Sequence, residues 1–176
     1  MSPGDEWHDR SLTDSPEGRR APTQVGQLGR GAAAGVLATV AMSALMVAGD
    51  RAGLMGEQPP TLVTRAALEA SGEEHPSEDA AVLAPLAHAA FGAAGGSVFG
   101  LLRRVVPRAP AVPLGIGFGL GIWMISYAGW IPALGIIRQP GADRRGRVAV
   151  MVAAHVVYGA TLGLLDDRLN RERPSR

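Results

Sequence analysis

The sequence predicts an all-α, polytopic membrane protein built as a four-helix bundle. Two observations carry this prediction: four long segments hold no Asp, Glu, Lys or Arg, and the charged residues collect in the ends and connections. The uncharged segments are residues 31–49, 81–102, 111–137 and 148–165. Each is close to the ~20 helical residues that cross a bilayer. Helices of a soluble domain would carry charges on their outer face.

The two ends of the chain differ from this middle. Residues 1–27 are polar, rich in Pro and Gly and without periodicity, which predicts a disordered cytoplasmic tail. The transmembrane domain is predicted over 28–168, followed by a second cytoplasmic tail at 169–176. The first apolar run begins too late for a secretory signal peptide. The absence of Cys removes disulfides, thiolate metal sites and cysteine nucleophiles.

The connection over residues 50–80 is the only long one. It holds a Pro-Pro pair and then a helix-like run over 61–70, for which Thr61 is the predicted N-terminal cap. We expect a short, weakly amphipathic helix lying on the outer surface.

A motif occurs twice, as "HAAFGAAGG" from His88 and "HVVYGATLG" from His155. Each histidine is followed by an aromatic residue at the third position, Gly at the fourth, Ala at the fifth and Gly at the eighth. The match predicts a tandem repeat of two-helix units, related by a pseudo-two-fold axis along the membrane normal. The first and third segments would then correspond, although no motif common to them is found.

The glycines of the motif indicate which way the histidines face. Positions four and eight residues apart lie on one face of a helix, and small residues there let helices approach closely. Gly92, Gly96, Gly159 and Gly163 are therefore predicted to be helix-packing positions, with both histidines directed into the bundle. The predicted intramembrane polar site consists of His88, His155, Ser43, Asp50 and Tyr158. No metal site and no catalytic residue are predicted.

Two further groups of side chains lie toward the ends of the predicted helices, one aromatic and one charged. Trp123, Tyr127 and Trp130 form an aromatic stripe, which predicts either an interfacial belt or the wall of an internal cavity. Pro132 is expected to kink or end that helix. The pair Asp166-Asp167 is expected to meet Arg103-Arg104 or Arg168 at the level of the headgroups.

The arginines predict the orientation. Eleven of the 17 basic residues, all of them Arg, fall in the two termini and the 103–110 connection. The positive-inside rule places that side in the cytoplasm, so both termini are predicted to be cytoplasmic. The expected partner is the lipid bilayer, with a homo-oligomer as an option. The net charge of +1 gives no reason to expect nucleic acid.

The repeated motif, together with "GIWMISYAGWIPALGI" and "GEQPPTLVTRAAL", resembles the YagU-like small inner-membrane proteins of bacteria. The resemblance covers residues 30–168. It implies four spans, an inner-membrane location and a link to acid tolerance. It implies no catalytic residues.

Three functions stay open at this point, none of them enzymatic. The first is a structural or envelope-stress protein whose histidines are hydrogen-bonded inside the bundle. The second is a small transporter or proton-responsive protein that uses His88 and His155, because histidine titrates near neutrality. The third is a bis-histidine haem protein. Only this third hypothesis involves a cofactor.

Overall fold

The part of the chain that the structure describes is all-helical, as predicted. The computed structural model describes residues 24–171, of which 81% are helical and none lies in a strand. Most of the predicted N-terminal tail and residues 172–176 lie outside the described residues. The elements are α1 (Gln24–Arg51), α2 (Pro59–Ser71), α3 (Pro76–Val105), α4 (Ala111–Ile125), a π-helical turn (Ser126–Trp130), α5 (Ile131–Ala133) and α6 (Arg145–Arg171).

Four of the helical stretches are long and apolar enough to cross a membrane: Gly26–Arg51, Pro76–Val105, Ala111–Ala133 and Arg145–Leu169. Each contains most or all of one predicted segment. The helices reach past the uncharged runs because charged residues continue them at their ends. Helix α1 accordingly begins at Gln24, inside the predicted tail. The third stretch is shorter than predicted and ends at Ala133 rather than Ile137.

The helices pack in the order α3, α1, α6, α4. Helix α1 lies against α3 on one side and α6 on the other, and α4 packs against α6. Helix α3 meets α4 and α6 at only a few points. The bundle therefore has a wide seam between α3 and α4.

Glycine pairs set the close packing of α1 on α3. A Cβ atom at Gly96 would collide with the backbone of Gly31 and Gly35, and one at Gly35 would collide with the carbonyl of Gly92. Because backbone atoms cannot move aside as a flexible side chain can, only glycine fits here. Gly92 and Gly96, which the sequence predicts to be packing positions, both lie at this contact.

The α4–α6 pair uses the same device. A Cβ atom at Gly159 would collide with the Gly115 carbonyl, and one at Gly163 with the backbone of Ala111 and Val112. Gly159 and Gly163, the other two predicted packing positions, both lie at this contact. Gly31 and Gly35 in α1 have the same spacing as Gly115 and Gly119 in α4. This spacing is the feature that the first and third segments share.

Helix α2 begins two residues earlier than predicted, and Thr61 is not its cap. Gln58 holds the cap position without a side-chain hydrogen bond, and the Thr61 N–H donates to the Gln58 carbonyl at 3.0 Å. The two prolines occupy the first turn, where a missing N–H costs no intrahelical bond. The helix ends at Gly72 in the left-handed conformation (φ 83°). It packs on α3, with Leu62 and Val63 against the core.

The π-helical turn interrupts the third span. The Ile131 N–H donates to the Ser126 carbonyl, five residues back. Pro132 follows, and its ring excludes a regular α-helical turn at this point. The helix ends one residue later at Ala133, which confirms the prediction made for Pro132. The widened turn sets the positions of Tyr127 and Trp130.

Candidate functional site

A cavity of about 250 Å³ lies at the seam between α3 and α4. Helices α1 and α6 form its floor, and α2 covers its end with Pro59, Pro60 and Val63. Phe91 on α3 and Trp130 on the π-helical turn stand at its margins and are 52% and 39% exposed. The cavity therefore opens sideways between these two elements, on the face that a bilayer would cover.

His155 lines this cavity from α6 and is buried, with 5% of its surface exposed. Its Nδ1–H donates to the Met151 carbonyl one turn earlier, at 2.8 Å. A carbonyl can only accept, so Nδ1 carries the proton and the lone pair is on Nε2. His155 thus offers the cavity a hydrogen-bond acceptor.

His88 lines the same cavity from α3 and is half-buried. Its Nδ1 lies 3.4 Å from the Ser43 Oγ of α1, a long contact between groups that can each donate or accept. The structure thus brings both predicted histidines to one cavity and places Ser43 behind one of them.

Tyr158 and Asp50 complete the predicted site and differ in their placement. Tyr158 is buried at the cavity, and its hydroxyl donates to the Gly92 carbonyl of α3 at 2.8 Å. This bond joins the two copies of the repeated motif. Asp50 is exposed at the end of α1 and is not part of the cavity wall. Of the predicted site residues, His88, His155 and Tyr158 thus line the cavity, and Ser43 contacts His88 from behind.

Other hydroxyls at the cavity also use their protons within the protein. Thr39 donates to the Gly35 carbonyl at 2.8 Å, and Ser126 donates to the Ile122 carbonyl at 2.6 Å. The Tyr127 hydroxyl donates to the Asp143 carboxylate. Together with Tyr158, the long apolar helical stretches contribute four hydroxyls to the cavity wall. Each of these hydroxyls donates its proton within the protein and has none left for a ligand. At these four groups, an incoming molecule therefore meets acceptors.

The aromatic stripe forms part of the cavity wall. Tyr127 and Trp130 line the cavity, as the second interpretation of the stripe predicted. Trp123 stacks on Tyr127 with ring centroids 6.1 Å apart. Its indole N–H is buried and has no hydrogen-bond partner in the described structure. Tyr127 therefore connects the cavity to a second aromatic layer and to the Asp143 carboxylate.

Asp143 is the member of this region that sequence reasoning missed. Its side chain is only 4% exposed, and its carboxylate lies 3.6 Å from the Arg147 guanidinium. Arg147 also donates from Nε to the Met55 carbonyl at 2.8 Å. The link ties the π-helical turn, the start of α6 and the residues after α1 together. In the sequence, Asp143 is inconspicuous because it stands inside a basic stretch.

The ion pair predicted at the opposite end of the bundle is present. Arg103 Nε donates to Asp166 Oδ2 at 2.7 Å. Arg104 instead donates to the Gln27 side chain.

The site has the chemistry of a binding cavity. Its wall is mainly aliphatic and aromatic, with two imidazoles as the groups that can face a ligand. Within residues 24–171, no three His, Cys, Asp or Glu side chains are close enough together to hold a metal ion.

Fold and cavity together define a class: a small helical protein with four potential membrane spans and two histidines in one interhelical cavity. The family of unknown function DUF6789 matches residues 25–176, and the chain belongs to this family. The match covers all four spans and the cavity. Searches of curated proteins and of solved structures found no match to the chain.

Proposed function

We propose that the chain is an integral membrane protein that binds a lipid-soluble small molecule between its helices. The observation that carries the proposal is the apolar cavity of about 250 Å³ lined by both His88 and His155. Interhelical cavities with few polar groups are where membrane and soluble bundles hold ligands. The opening between Phe91 and Trp130 gives such a molecule a route from the lipid.

The size of the cavity limits the ligand. A cavity of about 150 Å³ lined by apolar side chains holds benzene. The present volume of about 250 Å³ therefore suits one substituted ring, with any apolar tail leaving through the seam. A four-pyrrole macrocycle needs more room, which argues against the haem hypothesis.

The hydrogen-bonding pattern limits the ligand further. Because His155 presents an Nε2 lone pair and four nearby hydroxyls have donated their protons, the favoured ligand carries a donor. A phenolic or quinol hydroxyl on a ring meets both requirements. The proposed ligand class is thus a lipid-soluble phenol or quinol, and the proposed role is binding without catalysis.

The proposal includes a location and an origin for the fold. We place the protein in the bacterial inner membrane with both termini in the cytoplasm, as the arginine distribution favours. We also propose that the two helix pairs are a tandem repeat. Their matched glycine contacts support this, as does the repeated histidine motif. The resemblance to YagU-like proteins and its link to acid tolerance stay predictions.

The test measures, by calorimetry, the binding of decylubiquinol to the detergent-purified protein. The dimethyl ether of the same quinol is the matched probe, since it keeps the ring and tail but cannot donate. His155→Phe removes the acceptor, whereas His155→Asn retains a side-chain oxygen. We expect binding to the wild type and to His155→Asn. A loss of about tenfold or more is expected for His155→Phe and for the ether, because a net hydrogen bond contributes about 1.5 kcal/mol.

Several outcomes would overturn the proposal. Equal affinity for the quinol and its ether would remove the role of the histidine acceptor. Absence of binding by a folded wild-type protein would favour the purely structural role of the histidines. A visible absorption band that persists in purified wild type and disappears in His88→Ala would favour haem. Proton flux in proteoliposomes that requires both histidines would favour the transport hypothesis.

A further inference from the structure

A second cavity, of about 380 Å³, lies at the other end of the bundle, where the chain termini are. It is formed between the first turns of α1 and the last turns of α3, with α6 behind them. Its apolar wall includes Phe99 and Leu162, and its polar rim holds Arg30, Arg103 and Arg104. The close glycine packing of α1 on α3 forms the base of this cavity. The space between the two helices above that contact opens to the side of the bundle.

The charges of this rim are unbalanced. Asp166 is the one carboxylate that lines the cavity, and it is paired with Arg103 at 2.7 Å. Arg103 also donates to the Ala109 carbonyl at 2.6 Å, so it is held by the protein. Among the described residues, Arg104 donates only to the neutral Gln27 side chain, and Arg30 forms no ion pair. Two guanidinium groups thus keep their positive charge toward the cavity.

The location adds a second constraint on the ligand. All three arginines lie where uncharged helix gives way to charged residues, which is the depth of lipid headgroups. Guanidinium groups bind phosphate through paired hydrogen bonds, and basic pockets between spanning helices on the cytoplasmic side hold anionic headgroups. The apolar wall below offers a surface for an acyl chain.

We propose that this cavity binds the phosphate of an anionic phospholipid, through Arg30 and Arg104. The glycerol phosphate lies between the two guanidinium groups, and an acyl chain follows the Phe99 side of the groove. Inorganic phosphate shares the headgroup chemistry but lacks the chain that the apolar wall would contact. The site is separate from the histidine cavity and does not depend on the ligand proposed there.

The experiment compares two double variants of equal charge in native mass spectrometry and lipid titration. Arg30→Gln/Arg104→Gln removes the two side chains that are proposed to bind the phosphate. Arg103 is unchanged and keeps its contacts with Asp166 and Ala109. Arg51→Gln/Arg138→Gln is the matched control, with two exposed arginines from the opposite end. The probes are phosphatidylglycerol, phosphatidylcholine and inorganic phosphate, and thermal melting in detergent shows that each variant is folded.

We expect wild type and control to retain phosphatidylglycerol and to bind it at least about tenfold more tightly than the Arg30/Arg104 variant. Phosphatidylcholine should bind weakly to all three. Equal phosphatidylglycerol affinity in both folded variants would overturn the site. Equal affinity for phosphatidylcholine would overturn the anionic preference, and displacement of the lipid by millimolar inorganic phosphate would overturn the lipid as ligand. Should the Arg30/Arg104 variant not fold, the Arg104→Lys single variant is titrated instead, and undiminished affinity would again overturn the site.

Discussion

At the scale of single residues, glycine determines how closely these helices approach. Three of the four predicted packing glycines, Gly96, Gly159 and Gly163, face backbone atoms of a neighbouring helix where a methyl group has no space, and a methyl group at Gly92 would collide with the Thr39 side chain. Other glycines in the same spans face nothing within 4 Å, among them Gly117 and Gly121. Residue type alone therefore does not identify a packing position. The spacing of four residues and its partner on the opposite helix do.

We predict that Gly159→Ala destabilises the protein. The added methyl would collide with the Gly115 carbonyl and lie 2.9 Å from the Ile116 Cα, so helices α4 and α6 must separate. Overpacking of this kind costs about 1–3 kcal/mol, which lowers Tm by about 3–10 °C in a chain of this size. Thermal melting in detergent measures the change. Gly117→Ala is the control and should melt at or above the wild-type temperature, and equal melting of both variants would contradict the prediction.

At the scale of elements, a buried charge network holds together the end of the bundle opposite the termini. Asp143 connects the π-helical turn through Tyr127 and helix α6 through Arg147, and Arg147 reaches back to the segment after α1. The Arg144 N–H also donates to this carboxylate, at 2.7 Å. A connection of irregular structure is thus fixed at the same end as the histidine cavity.

Arg147→Gln is expected to destabilise the protein far more than Arg145→Gln. Both changes remove one positive charge from the start of α6, but only Arg147 pairs with the buried Asp143 carboxylate. Removing one partner of such a pair costs about 3–5 kcal/mol, because the other charge stays buried. The free energy of unfolding in a denaturant titration reports the difference. Similar values for the two variants would show that the network is not a stabilising one.

The elements also show where sequence reasoning succeeds and where it stops. The four spans and the inward direction of the histidines follow from local patterns, namely uncharged length and glycine spacing. The contact between Tyr127 and Asp143 depends on how the π-helical turn packs against the start of α6. No local sequence pattern predicts that packing. Thr61 was wrongly predicted as a cap because a good capping residue followed prolines that themselves begin the helix. Asp50 was included by helical phase, but α1 ends there in exposed residues.

At the scale of the whole molecule, the orientation in the membrane is the largest remaining prediction. The absence of cysteine from the chain makes it directly testable, because each introduced thiol is unique. Glu73 lies in the turn before α3 and Arg108 in the turn before α4, and both are exposed. They mark opposite ends of the bundle.

An impermeant maleimide applied to intact cells should label Glu73→Cys and leave Arg108→Cys unlabelled. The reason is the arginine excess on the side of the termini, which the positive-inside rule keeps in the cytoplasm. Lysed cells should label both variants, which controls for reactivity. The reverse pattern on intact cells would invert the topology and move the phospholipid site to the outer leaflet.

The packing order α3, α1, α6, α4 has a consequence for biogenesis. Each sequential pair of spans is already a tightly matched hairpin, closed by its own glycines, and the halves meet mainly where α1 touches α6. Two shorter polypeptides, divided within the turn at 106–110, should therefore insert independently and then associate. The histidine cavity takes its walls from both halves, so ligand capture would report their reassembly.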